Sequence, residues 1–524
     1  MQYKKIIFII LVLIIAFQLF QNPFGIGGSD WDTHLLYNAV PRETIVQYKQ
    51  FPLWNPYECG GTSLLGHPES LFISPFFILV LLFGVAIGVK LQILVGVIIG
   101  FIGMYRLLRY LKFSDTASFV SGLVLVLSSV YPLHLVMGHT LWLSTAFIPL
   151  AYLFYLKSFK EIKYCIGTSI MLVLMFFSGS TYLFAFTVLF LGIDSLVRYK
   201  KGIKIFAIVI ILTLILSSIK VFPLIEFLNH PQLVSSSLDQ DTGFGYNGIG
   251  FFKAIVTPPG RYNYQDKIDQ NKYYWFEYSM YLGWIGLALI IGGIWVAYKK
   301  RASYLITLII TIIISFGENF PINIWKLIHL LPFFESLKVP SRLNIFIIFL
   351  LAIFIAESID YLKKYKWIQI LASIALVMSL LLTNISIYKG AFDINPPPVI
   401  DAEFSQGINT DTLTTNPLTG WSYEMYSFFL QNKGTINCYE KLRWDTNVEE
   451  SQVEVDYWSP NKVVVSEETT LNQNFATGWH GENKNDLLVG KDVVYYLPSS
   501  FIIGSVITFT VLLISILIFR KKWK

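Results

Sequence analysis

The sequence predicts a polytopic α-helical membrane protein, and three observations carry that prediction. Hydrophobic residues make up 54% of the chain and charged residues only 14%. The mean hydropathy is +0.56, and a soluble protein of 524 residues could not solvate so apolar a surface. Lys and Arg recur in short clusters between apolar segments, the positive-inside pattern of membrane proteins. The formal charge of +6 therefore gives no case for nucleic-acid binding. The expected architecture is about twelve transmembrane helices, both termini inside, with a small extracytoplasmic β-rich domain near the C-terminus.

Ile6 to Phe20 is the first apolar segment, behind Lys4 and Lys5. A charged start and a short apolar core also fit a cleaved signal peptide, but no clear A-x-A site follows and many further spans do. That favours a retained signal anchor with the next loop outside. From Leu71 to Leu108 the chain is almost continuously apolar. Two crossings would fit at about 20 residues each, but they would put Arg106, Arg109 and Lys112 outside and invert every later basic cluster. One crossing over Gly88 to Leu108 is the better reading, with Pro75 to Phe83 in the interface as an amphipathic or re-entrant helix. The later segments alternate between basic clusters. They run Phe119 to Leu135, Leu141 to Leu156, Tyr164 to Phe177, Tyr182 to Leu196, Phe206 to Phe227, Tyr281 to Tyr298, Tyr304 to Phe316, Leu343 to Ala356, Ile368 to Ile387 and Phe501 to Phe519.

The expected division is a transmembrane unit over 1–387 with outside loops 22–75, 230–278 and 317–342, a β-rich domain over 388–498, and a final helix with a basic tail over 499–524. Across 388–498 the apolar runs shorten, and stretches such as Gln452-Val-Glu-Val-Asp-Tyr-Trp and Lys462-Val-Val-Val-Ser alternate as strands do. The three cysteines have no metal-ligand spacing. Cys165 reads as a small core residue. Cys59 and Cys438 both fall in outside segments, which leaves their pairing open.

The stretch from Ser29 to Pro75 concentrates the chemistry. Asp30 and Asp32 stand in an aromatic-rich loop close behind the first span. A strand would turn both side chains to one face, whereas a helical turn would separate them. A carboxylate at this depth can act as general base toward a hydroxyl or hold a divalent cation such as Mg or Mn. Further candidates for substrate contact are His34, Trp54, Asn55, Glu58, His67 and Glu69, with His139 from a short outside turn that also holds His134. For Trp54-Asn55-Pro56 the simpler roles are turns and interfacial anchoring; for His67, Glu69 and the two turn histidines they are loop and helix-end hydrogen bonds. Arg261, Lys338 and Arg342 are the outside cations of interest. Arg342 opens an apolar span, and its fork suits a lipid-linked phosphate as well as ordinary snorkelling to headgroups. No P-loop, GxSxG, HExxH or zinc signature occurs.

The order of an N-terminal span, an outside loop with an early Asp, an interfacial segment ending in Phe83-Gly84 and a span ending in Arg-Tyr-Leu resembles the GT-C class of polytopic glycosyltransferases. Pro52-Leu-Trp-Asn-Pro-Tyr with Gly60-Gly61, Val339-Pro-Ser-Arg342, Trp458-Ser-Pro-Asn-Lys462, Asn474-Phe-Ala-Thr-Gly-Trp479 and Val494-Tyr-Tyr-Leu-Pro-Ser-Ser-Phe501 together resemble the bacterial YfhO-like family. The resemblance implies a GT-C-like fold and a transferase that uses a polyprenyl-phosphate sugar at the outer face of the cell membrane, with a cell-envelope acceptor. It implies Asp30 or Asp32 as the residue acting on the acceptor. Asp30 matches the pattern better through His34 and Tyr37. It also implies Arg342, with Lys338 and Arg261, at the donor phosphate. Two other readings stand beside this one. A lipid or oligosaccharide transporter would need charged residues at mid-span and inverted repeats, which are scarce here. A non-catalytic envelope assembly factor would use the β-rich domain for partners.

Overall fold

The computed structural model describes residues 2–231, 233–235, 245–259, 275–331, 334–335, 337–399, 405–408, 425–436, 438, 442–444, 447–449 and 453–520. Every apolar segment read from the sequence is helical. The chain opens with α1 (Gln2–Leu19), then α2 (Trp31–Val46), the short α3 (Phe77–Phe83) and α4 (Val85–Tyr110). There follow α5 (Asp115–Leu127), α6 (Val130–Val136), α7 (Ile148–Ser158), α8 (Tyr164–Phe177), α9 (Thr181–Val197), α10 (Tyr199–Leu216) and α11 (Ser218–Leu228). The second half holds α12 (Gly248–Val256), α13 (Trp275–Tyr278), α14 (Gly283–Ala297), α15 (Ala302–Ser315), α16 (Ile324–Ile328), α17 (Asn344–Tyr361) and α18 (Lys366–Tyr388). The last two are α19 (Met425–Leu430) and α20 (Ser499–Arg520).

Six described helical segments are long and apolar enough to cross a membrane, and a seventh is added if the bent pair α10–α11 counts as one span. The chain is thus a multi-pass membrane protein, but the expected count of about twelve full spans is met only in part. The difference is length. α8, α9 and α15 are apolar yet only 14, 17 and 14 residues long, and at 1.5 Å per residue they fall short of the ~30 Å hydrocarbon core.

The breaks have local causes. Gly84, at φ 81°, separates α3 from α4, a left-handed backbone that glycine adopts without strain. Pro132 in α6 has no N–H and its ring opposes the carbonyl of Ser128, where α5 stops. At the 78° bend between α10 and α11, Ser217 and Ser218 hydroxyls donate back to the carbonyls of Thr213 and Ile215, a pattern that bends helices. The seven-residue α3 does not span. It lies along α4, with Gln92 donating to the Phe76 carbonyl at 3.0 Å, and leaves Ile78, Leu82 and Phe83 exposed.

The basic clusters meet at one end of the bundle. Lys4 pairs with Asp115, the Ser114 amide donates to Asp360, and Arg301 donates to the Leu111 carbonyl. This places the C-terminal end of α4, with Arg106, Arg109 and Lys112, beside the other clusters, as a single crossing by α4 requires. α17 is the central helix, buried from Asn344 to Ile359.

The opposite end carries the loops and strands. A two-residue hairpin, β1 (Trp54–Asn55) with β2 (Thr62–Ser63), lies in the first loop. β3 (Leu233–Ser235) pairs antiparallel with a later strand, β6 (Leu442–Trp444), while β4 (Ser405–Ile408) and β5 (Lys433–Thr435) pair in parallel. A four-stranded antiparallel sheet has the order β7 (Tyr457–Ser459), β8 (Lys462–Asn474), β10 (Leu487–Tyr495), β9 (Glu482–Lys484). Of the described part of the first alternating stretch, from Val453, only Tyr457 onward is strand; the second is β8.

This sheet is docked on the first loop. Asn461 Oδ1 accepts from the amides of Leu53 and Trp54. Trp54 donates to Gln473 at 2.9 Å and packs against Trp479 and Tyr496. Asn474 donates to the carbonyls of Cys59 and Gly61, and a disulfide joins Cys59 to Cys438. Four of the five motifs that carry the family resemblance, all but Val339-Pro-Ser-Arg342, therefore meet at one junction between loop and sheet.

Candidate active site

The first loop is dominated by α2, which is buried on nearly every side. Its start is fixed against the turn between α6 and the 3₁₀ helix Thr140–Phe147. The Asp30 amide donates to the Met137 carbonyl at 3.2 Å, and Trp31 Nε1 donates to the Leu135 carbonyl at 2.9 Å. Gly138, at φ 94°, lets the turn approach so closely that a Cβ would run into the backbone of Asp30 and Trp31.

That contact brings Asp30 to His139. His139 Nε2 lies 3.0 Å from Asp30 Oδ2, and its Nδ1 lies 2.7 Å from Nδ1 of His134. The Asp30 side chain is 26% exposed and that of His139 14%, so the carboxylate is open on one side while the histidines back it. His134 is fully buried, stacked on Trp142 at 3.4 Å. The Phe276 ring lies edge-on to both histidines.

The next residue, Glu277, was not singled out by the sequence reading. It is buried and takes a bidentate pair from Arg342, whose Nε and Nη2 donate to Oε2 and Oε1 at 2.9 and 2.6 Å. Two of the five guanidinium N–H groups are thus engaged in a fork that fixes the plane of the side chain. Tyr182 lies under the guanidinium at 5.0 Å. The only sequence signal for Glu277 was a carboxylate among aromatics just before an apolar span. The half-buried Lys338 precedes Val339, which sits at φ 59°, a strained conformation for a β-branched residue. Arg261 lies outside the described residues.

Asp32 points elsewhere. Because Asp30 and Asp32 lie in a helical turn, they diverge. Asp32 Oδ2 and Oδ1 accept from the amides of Met425 and Tyr426, the first of α19, at 2.7 and 3.2 Å. The remaining sequence candidates are also engaged in holding the loop. Glu58 is buried and accepts from Tyr37 at 3.1 Å and Asn55 at 3.2 Å. His67 packs between Tyr37 and Phe227 and accepts from the Glu69 amide. Lys220 of α11 donates to the carbonyls of Pro68, Ser70 and Phe176. Lys90 of α4 likewise donates to those of Asn22 and Pro23. Burial pushes His34 down to about 4, against the opposing pull of Asp30, and His67 down to about 3. Both imidazoles are neutral at physiological pH.

A narrow, mainly apolar cleft begins at Thr140, next to His139, and runs between Phe76, Gln92, Gly96, Phe147 and Ser178. As to a divalent cation, the site offers one carboxylate and one imidazole side by side, while Mg or Mn prefers a fuller oxygen-rich set. Among the described residues no group of three or more His, Cys, Asp and Glu side chains converges to hold a metal. The residues described do not fit a cation on their own.

No family model matches this chain, and no curated protein does. Solved structures do. The oligosaccharyltransferase of Archaeoglobus fulgidus, in the apo form, is 12% identical with a TM-score of 0.50, over 83% of this chain and 64% of that one. ArnT from Cupriavidus metallidurans, bound to undecaprenyl phosphate, is 12% identical with a TM-score of 0.47, over 80% of this chain and 84% of that one. The arabinofuranosyltransferase AftD from Mycobacteria is 14% identical with a TM-score of 0.45, over 75% of this chain and 28% of that one. The chain thus spans 28% of AftD and 64% of the archaeal enzyme. The likeness to the archaeal enzyme shows a shared fold.

Proposed function

We propose that this chain is a membrane glycosyltransferase of the YfhO-like kind that moves a sugar from a polyprenyl-phosphate-linked donor to a cell-envelope acceptor at the extracytoplasmic face. One observation carries the reading. A partly exposed carboxylate, Asp30, and a forked cation, Arg342, stand at the same end of a GT-C fold, linked through His139, Phe276 and Glu277. The bound undecaprenyl phosphate of ArnT supports a lipid-phosphate donor.

In this reading Asp30 takes the proton of an acceptor hydroxyl as its oxygen attacks C1 of the sugar. The bond from C1 to the phosphate oxygen breaks, and the electron pair leaves with the lipid phosphate. Arg342, held in plane by Glu277 and helped by Lys338, meets that charge. Phosphate is a good leaving group, so positioning supplies much of the rate. The cleft from Thr140 to Phe76 suits the first isoprene units of the donor. Envelope glycans and lipid-linked sugars, compared in cells with and without the gene, test this. Loss of one glycan modification with build-up of a lipid-linked sugar is expected. Unchanged glycans and unchanged lipid-linked pools would refute it.

A further inference from the structure

Resting on the reading of Asp30 as the base, we infer that His134 and His139 are positioning residues, and that His134 locks the tautomer through which His139 holds the Asp30 carboxylate. The argument starts from the innermost atom. His134 Nε2 is buried and, among the described residues, has no hydrogen-bond partner. Its ring is stacked on Trp142, with Phe276 edge-on. A proton on Nε2 would be an orphaned donor in an aromatic wall, whereas an unused lone pair there is the lesser penalty. The proton of neutral His134 therefore sits on Nδ1. From there it is donated to Nδ1 of His139, 2.7 Å away.

Nδ1 of His139 must then be an acceptor, which leaves the single proton of that neutral ring on Nε2. Nε2 faces Asp30 Oδ2 at 3.0 Å. The chain of donors thus runs inward to outward, from His134 to His139 to Asp30, and only one tautomer of each ring satisfies it. The result is a carboxylate fixed in orientation by a neutral donor.

The test measures sugar transfer by full-length protein in membranes, with each variant normalised by immunoblot. His134→Phe keeps the stacked ring and removes the donor, and should lower kcat by on the order of tenfold or more with KM little changed. His134→Asn, whose amide replaces the Nδ1 donor, should recover most of that loss. His139→Gln gives Asp30 an amide donor that has no tautomer to choose, so adding His134→Phe to it should cost nothing further. If His134→Phe fails to accumulate, His134→Gln, which puts its amide on the Nε2 side, must show the same loss of kcat. A full-rate His134→Phe, or an equal loss in the His139→Gln background, would overturn the tautomer lock. Normal transfer by Asp30→Asn would instead sink the reading on which it rests.

Discussion

The two ends of the bundle contain the same kinds of buried charge and use them differently. At the basic end, Asp194 is held by Arg198 at 2.6 Å and by Tyr152 at 2.9 Å. Glu357 is held by Arg301 at 2.6 Å, and Asp115, which is not buried, by Lys4 and Tyr105. Each of these carboxylates is matched to its own cation, and Arg198 and Arg301 share the Tyr304 ring between them. At the loop end, Asp30, His139, His134, Glu277 and Arg342 form one connected set around the Phe276 ring. Buried charge by itself does not mark a site. Convergence of unlike groups on a partly open carboxylate does.

The comparison is broken most sharply at Arg342. Arg342→Lys keeps the charge but loses the planar fork on Glu277, and transfer should fall about a hundredfold while the protein still accumulates, in line with losing ~3 kcal/mol of charge stabilisation. Initial rates in membranes measure it, and a fully active Arg342→Ala would remove this residue from any phosphate role. The same operation at the other end should act on stability alone. Arg301→Ala leaves Glu357 buried without its main partner, at a cost of roughly 3–5 kcal/mol. Thermal unfolding in detergent should register that loss, with the rate per folded molecule unchanged.

Much of the fold was legible because hydropathy fixes where helices lie. It did not fix which of them span, since α8 and α15 are apolar but short. Asp30 was legible as an early loop carboxylate, and the resemblance favoured it over Asp32 through His34 and Tyr37; the helical start of α2 then turns the two side chains apart. Apart from Val339-Pro-Ser-Arg342, the quoted motifs were legible as a pattern and not as a role. Trp54, Asn461, Asn474, Trp479 and Tyr496 turn out to meet each other, so they join loop to sheet rather than carry chemistry. Glu277 was missed because its partner Arg342 lies 65 residues away in sequence, and only the fold joins them.

Smaller effects sharpen the picture. Cys59→Ser should weaken the docking of the sheet by roughly 2–4 kcal/mol, seen as faster proteolysis of the 425–500 region. His34 and His67 have folded values of about 4 and about 3, below the ordinary 6.5. Their burial therefore stabilises fully above pH 6.5, and that contribution is lost as pH falls toward those values. At pH 5.5 each lost unit is worth about 1.4 kcal/mol, so His67→Asn should flatten the fall of Tm between pH 7 and 5. Asp32→Asn, which keeps one acceptor oxygen for α19, should cost only about 1 kcal/mol.

One measurement tests the central claim most directly. Transfer from a labelled polyprenyl-phosphate sugar is followed in membranes carrying Asp30→Asn, Asp32→Asn or both, normalised by immunoblot. Asp30→Asn is nearly isosteric and removes the proton-accepting charge. It should abolish transfer while donor binding persists, whereas Asp32→Asn should retain at least half the rate. Normal transfer by Asp30→Asn and by the double variant would contradict the account, because the connected set at the loop end would then not be the active site.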